Sequence, residues 1–238
     1  MPIDIGSNQI NSFSSKIITD GGLITTGMTN LWDFGLTSCY PGSGTTLNTL
    51  TTSTQAWTLT NGPTFSTLGG GSLLFDGGND YLAYANSSWY LLNSNSTMYF
   101  WIKTAATNGG LHSHYSGGPV NHGMYINGNG KLEYQYYNTT WRIAGGTGAA
   151  VNTNNWIMVT YAMVTGTDTQ TTYVNGIVDS TFTITGGHYN SQAGSIGILW
   201  GYNYFSGYMG QVIEYNGTTH TAAQVLRTFN ATRQRYGI

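Results

Sequence analysis

The segment that most restricts the fold is WIMVTYAMV, residues 156–164, which is apolar at almost every position. It is too short for a membrane-spanning helix, which needs about 18 or more apolar residues. A strand that is buried on both faces has this kind of continuous apolar sequence, rich in β-branched and aromatic residues. The segment therefore predicts an internal strand of a β-protein.

The segments around it repeat the strand pattern at short spacing. AWTLT, SLLFD, TMYFWIK and HGMYIN are short runs of β-branched or aromatic residues bounded by Gly, Asn and Ser. Two hairpins are marked, one by residues 127–130 and one by Asn175 and Gly176, the dipeptide of the type I′ turn. Short strands at this spacing are typical of a sandwich or barrel. We expect about a dozen strands in one domain.

The two ends of the chain differ from this pattern. After Thr219 the apolar spacing becomes helical, with Ala222, Val225, Leu226 and Phe229 on one face. Thr221 is a suitable N-cap, so we expect one short helix over about residues 221–234. Residues 1–30 are polar and Gly-containing and predict an extended N-terminal arm. The expected organisation is an arm over 1–30 and one domain over 31–238.

Composition excludes several classes of protein. Charged residues make up 7% of the chain, against about 25% in an average domain, but 14% aromatic residues is too rich for a disordered chain. A net charge of −2 lacks the basic face that nucleic-acid binding needs, and no run is long enough to span a membrane. The N-terminal sequence has no signal-peptide pattern, so we expect synthesis in a cytoplasm without Sec export.

Five spaced motifs carry a family resemblance. In order they are YPGSGTTLNTL, LTNGPTFSTLGGGSLLFDGGNDYL, MYFWIKT, NNWIMVTYAMVTGTDTQTTYVNG and GYMGQVIEYNGTTHTAAQVLRTFNATRQRYG. Over residues 32–238 the chain resembles the concanavalin A-like lectin/glucanase superfamily, in its LamG-like branch. More narrowly, it resembles single-domain members encoded by tailed bacteriophages. The resemblance implies an all-β antiparallel jelly-roll sandwich.

The acidic residues do not match the glucanases of that superfamily. Those enzymes use a Glu-x-Asp-x-x-Glu arrangement on one strand, because glycoside hydrolysis needs two carboxyl groups at a fixed separation. Here Glu133 and Glu214 are the two glutamates, and neither has an acid within four residues. The pair Asp76 and Asp80 falls in a predicted turn, where Asp serves backbone geometry. We therefore expect a protein that is not an enzyme.

Aromatic and amide side chains form the candidate carbohydrate site. In KLEYQYY, Leu132, Tyr134 and Tyr136 alternate with Glu133, Gln135 and Tyr137, which places an acid, an amide and a phenol on one strand face. The segment LWGYNYFSGYMG adds further rings in a Gly-containing loop. The candidate residues are Trp141, Trp200, Tyr202, Tyr204, Tyr137 and Gln135. The alternative is that these rings fill the core or a subunit interface, where Tyr and Trp are also enriched.

Two metal hypotheses follow from the sequence. His112, His114 and His122 are candidates for a transition-metal site, the alternative being a solvated Gly-Pro loop with incidental histidines. Calcium is the usual metal of lectin-like members of the superfamily, and Asp33 and Asp80 are the two candidates. The segment LNTLTTSTQAW carries no carboxylate where related phage sequences have an acidic loop, so we expect no cofactor.

The resemblance implies a virion protein on a phage particle, as a capsid decoration protein or a short head fibre. We expect a homo-oligomer that attaches to a capsid or other virion protein through Ile17 and Ile18 of the arm and Arg227, Arg233 and Arg235 of the helix end. The alternative for the arginines is a structural role at the helix C-terminus. The rival function is a carbohydrate-binding adhesin that recognises host polysaccharide.

Overall fold

The computed structural model describes residues 22–53, 55–84, 95–114, 120–138, 140–184 and 194–238. In these residues the protein has eighteen β-strands and one α-helix, α1 (Ala222–Thr232). Short 3-10 helices lie at Leu68–Gly70 and Arg233–Tyr236. The strands are β1 Asn30–Asp33, β2 Thr46–Asn48, β3 Ala56–Thr60, β4 Thr64–Ser66, β5 Ser72–Asp76, β6 Tyr81–Ala83, β7 Ser96–Lys103, β8 Gly109–His114, β9 Val120–Ile126, β10 Lys131–Asn138, β11 Thr140–Ala150, β12 Trp156–Val164, β13 Thr169–Val174, β14 Ile177–Thr183, β15 Gly194–Ile196, β16 Ile198–Leu199, β17 Asn203–Tyr204 and β18 Ser206–Asn216.

The strands form two large antiparallel sheets. Sheet 1 has the order β14-β13-β12-β7-β18-β5-β4. Strand β5 pairs with residues 206–209 of β18, and β1 pairs with residues 211–214 of the same strand. Sheet 2 has the order β11-β10-β9-β8-β15-β6-β3-β2. Strands β16 and β17 form a separate two-stranded hairpin. The predicted all-β antiparallel sandwich is confirmed.

The main core lies between the two sheets. Trp32 and Phe100 of sheet 1 belong to the same buried cluster as Trp57 and Met124 of sheet 2. The Trp32 and Trp57 rings meet edge to face, with centroids 5.6 Å apart. Burial of such aromatic side chains supplies much of the free energy of folding. The cluster therefore joins the two sheets into one domain.

The internal strand predicted from WIMVTYAMV is confirmed. It is β12, which pairs with β13 on one side and β7 on the other, and its first eight residues are buried. Val159 and Tyr161 face the core between the sheets, while Met158 and Ala162 belong to a second cluster on the opposite face of sheet 1. The apolar run is continuous because both faces of this strand are covered.

The cover on the outer face of sheet 1 is α1 with the 3-10 turn that follows it. Trp101 of β7 stacks on Tyr236 at 4.1 Å between ring centroids, with planes 19° apart. The predicted N-cap Thr221 is confirmed, because its hydroxyl accepts the N–H of Gln224 and the Gln224 side chain accepts the Thr221 N–H. This reciprocal pair satisfies two backbone donors that a helix start leaves open.

The predicted buried face of the helix is partly wrong. Val225 is buried, but Leu226 is 38% exposed, and Thr228 and Thr232 are buried instead. The Thr232 hydroxyl accepts the indole N–H of Trp101 and donates to the carbonyl of Thr228. Because its hydrogen bonds are made internally, this hydroxyl can lie against the sheet without the cost of an unpaired polar group.

The predicted arm also needs correction over its last residues. Leu23 is buried in the cluster under α1, and the Tyr215 hydroxyl donates to the carbonyl of Ile24. Strand β1 then begins at Asn30. The described end of the arm is therefore packed on sheet 1 through Leu23, Ile24 and Met28, while residues 25–27 are exposed. The rest of the arm lies outside the described residues and stays a prediction.

Both hairpin predictions are confirmed. Residues 127–130 connect β9 to β10, and Asn175 and Gly176 connect β13 to β14 with φ of 50° and 82°. Positive φ at both central positions is what a type I′ turn requires.

Cys39 is a free thiol in the core, and burial raises its pKa to about 12. None of the described helices has the length and apolar character needed to cross a membrane.

Candidate functional site

The outer face of sheet 2 carries an exposed row of side chains on β10 and β11. The predicted alternation of β10 is confirmed: Tyr134 and Tyr136 are buried, while Gln135 and Tyr137 are partly exposed on the other face. In the register of β10 and β11, Tyr137 lies opposite Trp141 and Gln135 opposite Ile143. Directly opposed residues share a sheet face. Trp141 is 55% exposed and Ile143 is 65% exposed, so large apolar groups face solvent here.

The hairpin of β16 and β17 lies on the same outer face and adds two more rings. Leu199 packs so closely on β8 and β9 that a Cβ at Gly110 would lie 2.1 Å from the Leu199 nitrogen. A Cβ at Gly123 would lie 2.3 Å from Leu199 Cδ1. Glycine at both positions is therefore required for the hairpin to reach the sheet. The next residue, Trp200, is thereby placed over β10.

Trp200 is a buried side chain that contacts two residues of the exposed row. Its indole N–H donates to Gln135 Oε1 at 2.9 Å, and its ring meets Trp141 at 4.8 Å with planes 76° apart. It is only 3% exposed, so the prediction that Trp200 offers a ring to a ligand is wrong. Its φ of 58° is unusual for a bulky residue and costs about 1–3 kcal/mol, which packing and the hydrogen bond to Gln135 offset.

A hydrogen-bond chain fixes the polar part of the row. Asn127 Nδ2 donates to Glu133 Oε1 at 2.7 Å, and Gln135 Nε2 donates to Glu133 Oε2 at 3.3 Å. Gln135 is thus held at both ends of its amide, by Glu133 and by Trp200. The carboxylate of Glu133 has about four acceptor positions, and two remain for other donors. The polar groups are held in place by the protein itself.

Tyr125 and Tyr202 form the second aromatic end of this surface. Tyr125 lies opposite Glu133 in the register of β9 and β10, and its hydroxyl donates to Asn108 Oδ1 at 2.7 Å. Burial, the charge of Glu133 and the neighbouring Tyr202 phenol raise the pKa of Tyr125, in that order of importance. Tyr202 is 66% exposed, whereas Tyr125 is 8% exposed and packs against Leu199 and Trp200. The surface therefore has exposed rings at two ends and polar groups between them.

We call this surface the aromatic face. It comprises Tyr125, Glu133, Gln135, Tyr137, Trp141, Ile143, Trp200 and Tyr202. Of the six candidates predicted from the sequence, Tyr204 is not part of it, since its ring packs 6.5 Å from Tyr81 and its hydroxyl donates to the carbonyl of Gly201. Ile143 and Tyr125 were missed, although Ile143 follows Trp141 by two residues and the strand period would have placed both on one face.

The three histidines lie in the interior, so the predicted solvated loop is wrong for them. His112 and His114 of β8 and His122 of β9 are 1–6% exposed, with ring centroids 4.7–6.2 Å apart. His112 stacks on Tyr161 and His122 on Tyr134. Within the described part of the chain, no group of three His, Cys, Asp or Glu is arranged to hold a metal ion. Burial, with His114 nearby, lowers the pKa of His112 well below its usual value.

Both aspartates named for calcium make internal bonds. Asp33 Oδ2 pairs with Arg235 and accepts from Gln211 Nε2, and Asp33 Oδ1 accepts the N–H of Gly35. Asp80 Oδ2 accepts the N–H of Asp76 at 3.0 Å, and burial raises its pKa. Asp33 thus joins two side chains to a backbone turn and Asp80 fixes a backbone turn, so internal groups occupy both carboxylates.

The three arginines divide into two kinds. Arg235 is 15% exposed and donates to the carbonyls of Gly69 and Gly71 besides pairing with Asp33, so its prediction as a partner-binding residue is wrong. These contacts tie the end of the helix cover to sheet 1. Arg233 lies over the Phe229 ring and Arg227 donates to the carbonyl of Gly22, and both are exposed. Ile17 and Ile18 lie outside the described residues.

The two glutamates lie in different surroundings. Glu133 belongs to the aromatic face, whereas Glu214 of β18 is fully buried in sheet 1 and accepts from Asn30 Nδ2 at 2.6 Å. Glycoside hydrolysis needs two carboxyl groups across one sugar bond. These two belong to different sheets, so they do not form such a pair.

The fold and this surface define a lectin-like jelly roll, a class in which a two-sheet sandwich presents one sheet face to solvent. The chain belongs to the concanavalin A-like lectin/glucanases superfamily, whose family model matches residues 76–225, more than half of the 238 residues. The matched region runs from the end of β5 into α1 and contains the whole aromatic face. The predicted superfamily is confirmed. No curated protein matches the sequence.

Solved structures share the fold at low sequence identity. Domain 4 of AbnA, a GH43 extracellular arabinanase from Geobacillus stearothermophilus solved in complex with arabinotriose, has a TM-score of 0.66 at 14% identity, covering 86% of this chain and 98% of that domain. The receptor binding domain of botulinum neurotoxin type G has a TM-score of 0.61 at 12% identity, covering 85% and 51%. Trypanosoma rangeli sialidase has a TM-score of 0.63 at 13% identity, covering 89% and 33%. Identities this low show the fold alone.

Proposed function

We propose that this protein is a non-enzymatic carbohydrate-binding domain and that the aromatic face contacts the sugar. The observation that carries the proposal is Trp141, a large ring that is 55% exposed yet fixed on two sides. Tyr137 meets it at 5.2 Å and Trp200 at 4.8 Å between ring centroids. A monomeric protein gains little stability from exposing a tryptophan, so an exposed and immobilised ring is typical of a binding site.

The chemistry of the face suits a sugar. A sugar ring has apolar C–H faces and a rim of hydroxyl groups, so it needs an aromatic surface with hydrogen-bonding groups beside it. Trp141 supplies the surface, while Gln135 and Glu133 supply an amide and a carboxylate. Stacking on one ring is worth on the order of 1 kcal/mol by analogy with aromatic pairs. Because Gln135 is already held by Trp200 and Glu133, binding orders few new side chains.

Two further facts support the proposal. The arabinanase domain named above, which has the same fold over most of this chain, was solved with an oligosaccharide bound. The chain also lacks a pair of glutamates on one sugar-facing surface, since Glu214 is buried in the other sheet. Both facts favour binding over hydrolysis.

The test is a glycan array of bacterial and plant polysaccharides, with calcium and again with a chelator, followed by titration calorimetry on the best ligand. We expect saturable binding that Trp141→Ala weakens at least about tenfold. Phe65→Ala is the matched control, because Phe65 is an exposed ring on β4 of sheet 1, away from the aromatic face. A blank array, or equal loss in both variants, would contradict the proposal.

The predicted place on a phage particle is a separate proposal. It is supported by two exposed arginines at the helix cover: Arg227 of α1 donates to the carbonyl of Gly22, the first described residue, and Arg233 begins the 3-10 turn after α1. The test is cosedimentation with phage particles of the full chain and of a chain lacking residues 1–21. Attachment of the full chain, without attachment of the shortened chain, would support this proposal. Equal attachment, or none, would count against it.

A further inference from the structure

The aromatic face carries very few charged groups. Among the residues of β10 and β11, the charged ones are Lys131, Glu133 and Arg142. Strand β9 has no Asp, Glu, Lys or Arg, and neither do residues 198–204 of the hairpin. The electrostatic interaction of this surface with a charged ligand therefore depends on these three side chains and on the charged residue of the neighbouring strand β14.

Neither cation lies among the exposed rings. Arg142 is opposite Tyr136 in the register of β10 and β11, and Tyr136 is buried on the inner side of the sheet. Arg142 therefore starts from the opposite face of β11 to Trp141. Lys131 starts from the same face of β10 as Glu133, two residues toward the hairpin, and its ammonium donates to the carbonyl of Thr147 at 3.4 Å, toward the end of β11 away from Trp141.

The carboxylate, in contrast, lies in the middle of the face. Glu133 is four residues from Tyr137 along β10, about 13 Å at 3.3 Å per residue, and it lies opposite Tyr125. A sugar chain that runs along β10 from Tyr137 toward Tyr125 passes Gln135 and Glu133. At the far end of β11, Asp179 of β14 accepts the N–H of Ala149 at 2.6 Å, so its negative charge lies near Lys131, whose register partner is Ala150.

We infer that the aromatic face binds neutral sugar chains and rejects acidic ones. The inference rests on the proposed carbohydrate binding and adds the class of ligand. A sugar hydroxyl donates a hydrogen bond to the free acceptor positions of Glu133, whereas a uronate or sialate at the same place brings two negative charges together. The hydrogen bonds from Asn127 and Gln135 hold the carboxylate in position, so it cannot turn away from the ligand.

The test uses matched hexasaccharides that differ only at C6: gluco-, manno- and galacto-oligosaccharides and the uronates obtained by oxidising them. They are placed on the same array as the polysaccharides and titrated at low and high salt. We expect at least about tenfold weaker binding of acidic than of neutral ligands at low salt, and a smaller ratio at high salt. Glu133→Gln should reduce that ratio, and Lys131→Ala should not.

The outcomes separate the two claims. Binding confined to neutral glycans, with a ratio that falls in Glu133→Gln, supports the inference. Binding of uronates or other acidic glycans as tight as that of neutral ones overturns it while leaving carbohydrate binding intact. A blank array contradicts the proposed function itself, and the inference falls with it.

Discussion

The two outer faces of the sandwich are both lined with aromatic rings, but they are covered differently. On sheet 1, Tyr99, Trp101 and Tyr215 are fully buried under α1 and the turn that ends in Tyr236. On sheet 2, the cover is the short hairpin of β16 and β17, and Trp141 next to it is 55% exposed. The same residue types thus form a core on one side of the molecule and a candidate binding surface on the other.

The difference lies in the cover. A helix of eleven residues and a following 3-10 turn reach across β7, β12 and β18, whereas residues 198–204 reach only β8, β9 and part of β10. Rings within reach of the cover become structural, as Tyr125 does against Leu199 and Trp200. Rings beyond it stay exposed. Aromatic content alone therefore does not distinguish a core from a site.

The largest expected effect separates Trp101 from Trp141. Trp101→Ala should lower the free energy of unfolding by about 3–5 kcal/mol, since it removes a fully buried ring stacked on Tyr236. Trp141→Ala should lower it by less than about 1 kcal/mol while weakening glycan binding. Urea unfolding of both variants measures this. Similar losses of unfolding free energy in the two variants would mean that the rings of both faces contribute equally to stability.

A smaller effect is expected where the helix cover is fastened to sheet 1. Arg235→Met leaves the Asp33 carboxylate without its cation and should cost about 3 kcal/mol of unfolding free energy. Arg233→Met is the control, because Arg233 is exposed and lies over Phe229, and we expect a loss of at most about 1 kcal/mol. Thermal unfolding compares the two. A loss in the control as large as in Arg235→Met would contradict the distinction between them.

The smallest effect concerns pH. His220 lies under the cover of sheet 1 beside Tyr99 and Tyr215, and burial lowers its pKa to about 4. Its unfolded pKa is about 6.5, so between these values the unfolded chain binds more protons and the free energy of unfolding falls as the pH falls. The slope is at most about 1.4 kcal/mol per pH unit for one such group. Burial shifts His112 in the same direction.

Urea unfolding at pH 7.5, 6.5, 5.5 and 4.5 checks this expectation, since stability should decline below about pH 6.5. His220→Gln should reduce the decline, because glutamine does not titrate. An unchanged slope in His220→Gln would show that His220 does not contribute to it.

Local patterns predicted the fold well. The apolar run of β12, the Asn175 and Gly176 turn and the Thr221 cap each depend on a few neighbouring residues, and all three are confirmed. The helix face was less predictable, because Thr232 is buried through hydrogen bonds to Trp101 of the sheet and to the Thr228 carbonyl of the helix itself. Burial of a polar residue depends on its tertiary partner, which no periodic pattern contains.

The site was predicted by residue type more than by role. Tyr137, Trp141 and Gln135 do lie together, because strand alternation and the register of β10 and β11 place them so. The role of Trp200 depends on the close contact of Leu199 with Gly110 and Gly123, which are 89 and 76 residues earlier in the chain. The sequence marks those glycines only as small residues. Long-range contact decides which tryptophan is exposed.

The central position of β18 has a consequence for how the chain is made. This strand, residues 206–216, pairs with β7 on one side and with β5 and β1 on the other. During synthesis, β1, β5 and β7 leave the ribosome more than a hundred residues before β18. Their edges that pair with β18 stay unpaired until β18 has been made. Sheet 1 therefore closes late, through contacts of long sequence separation, which are slow to form and leave unpaired strand edges open to aggregation.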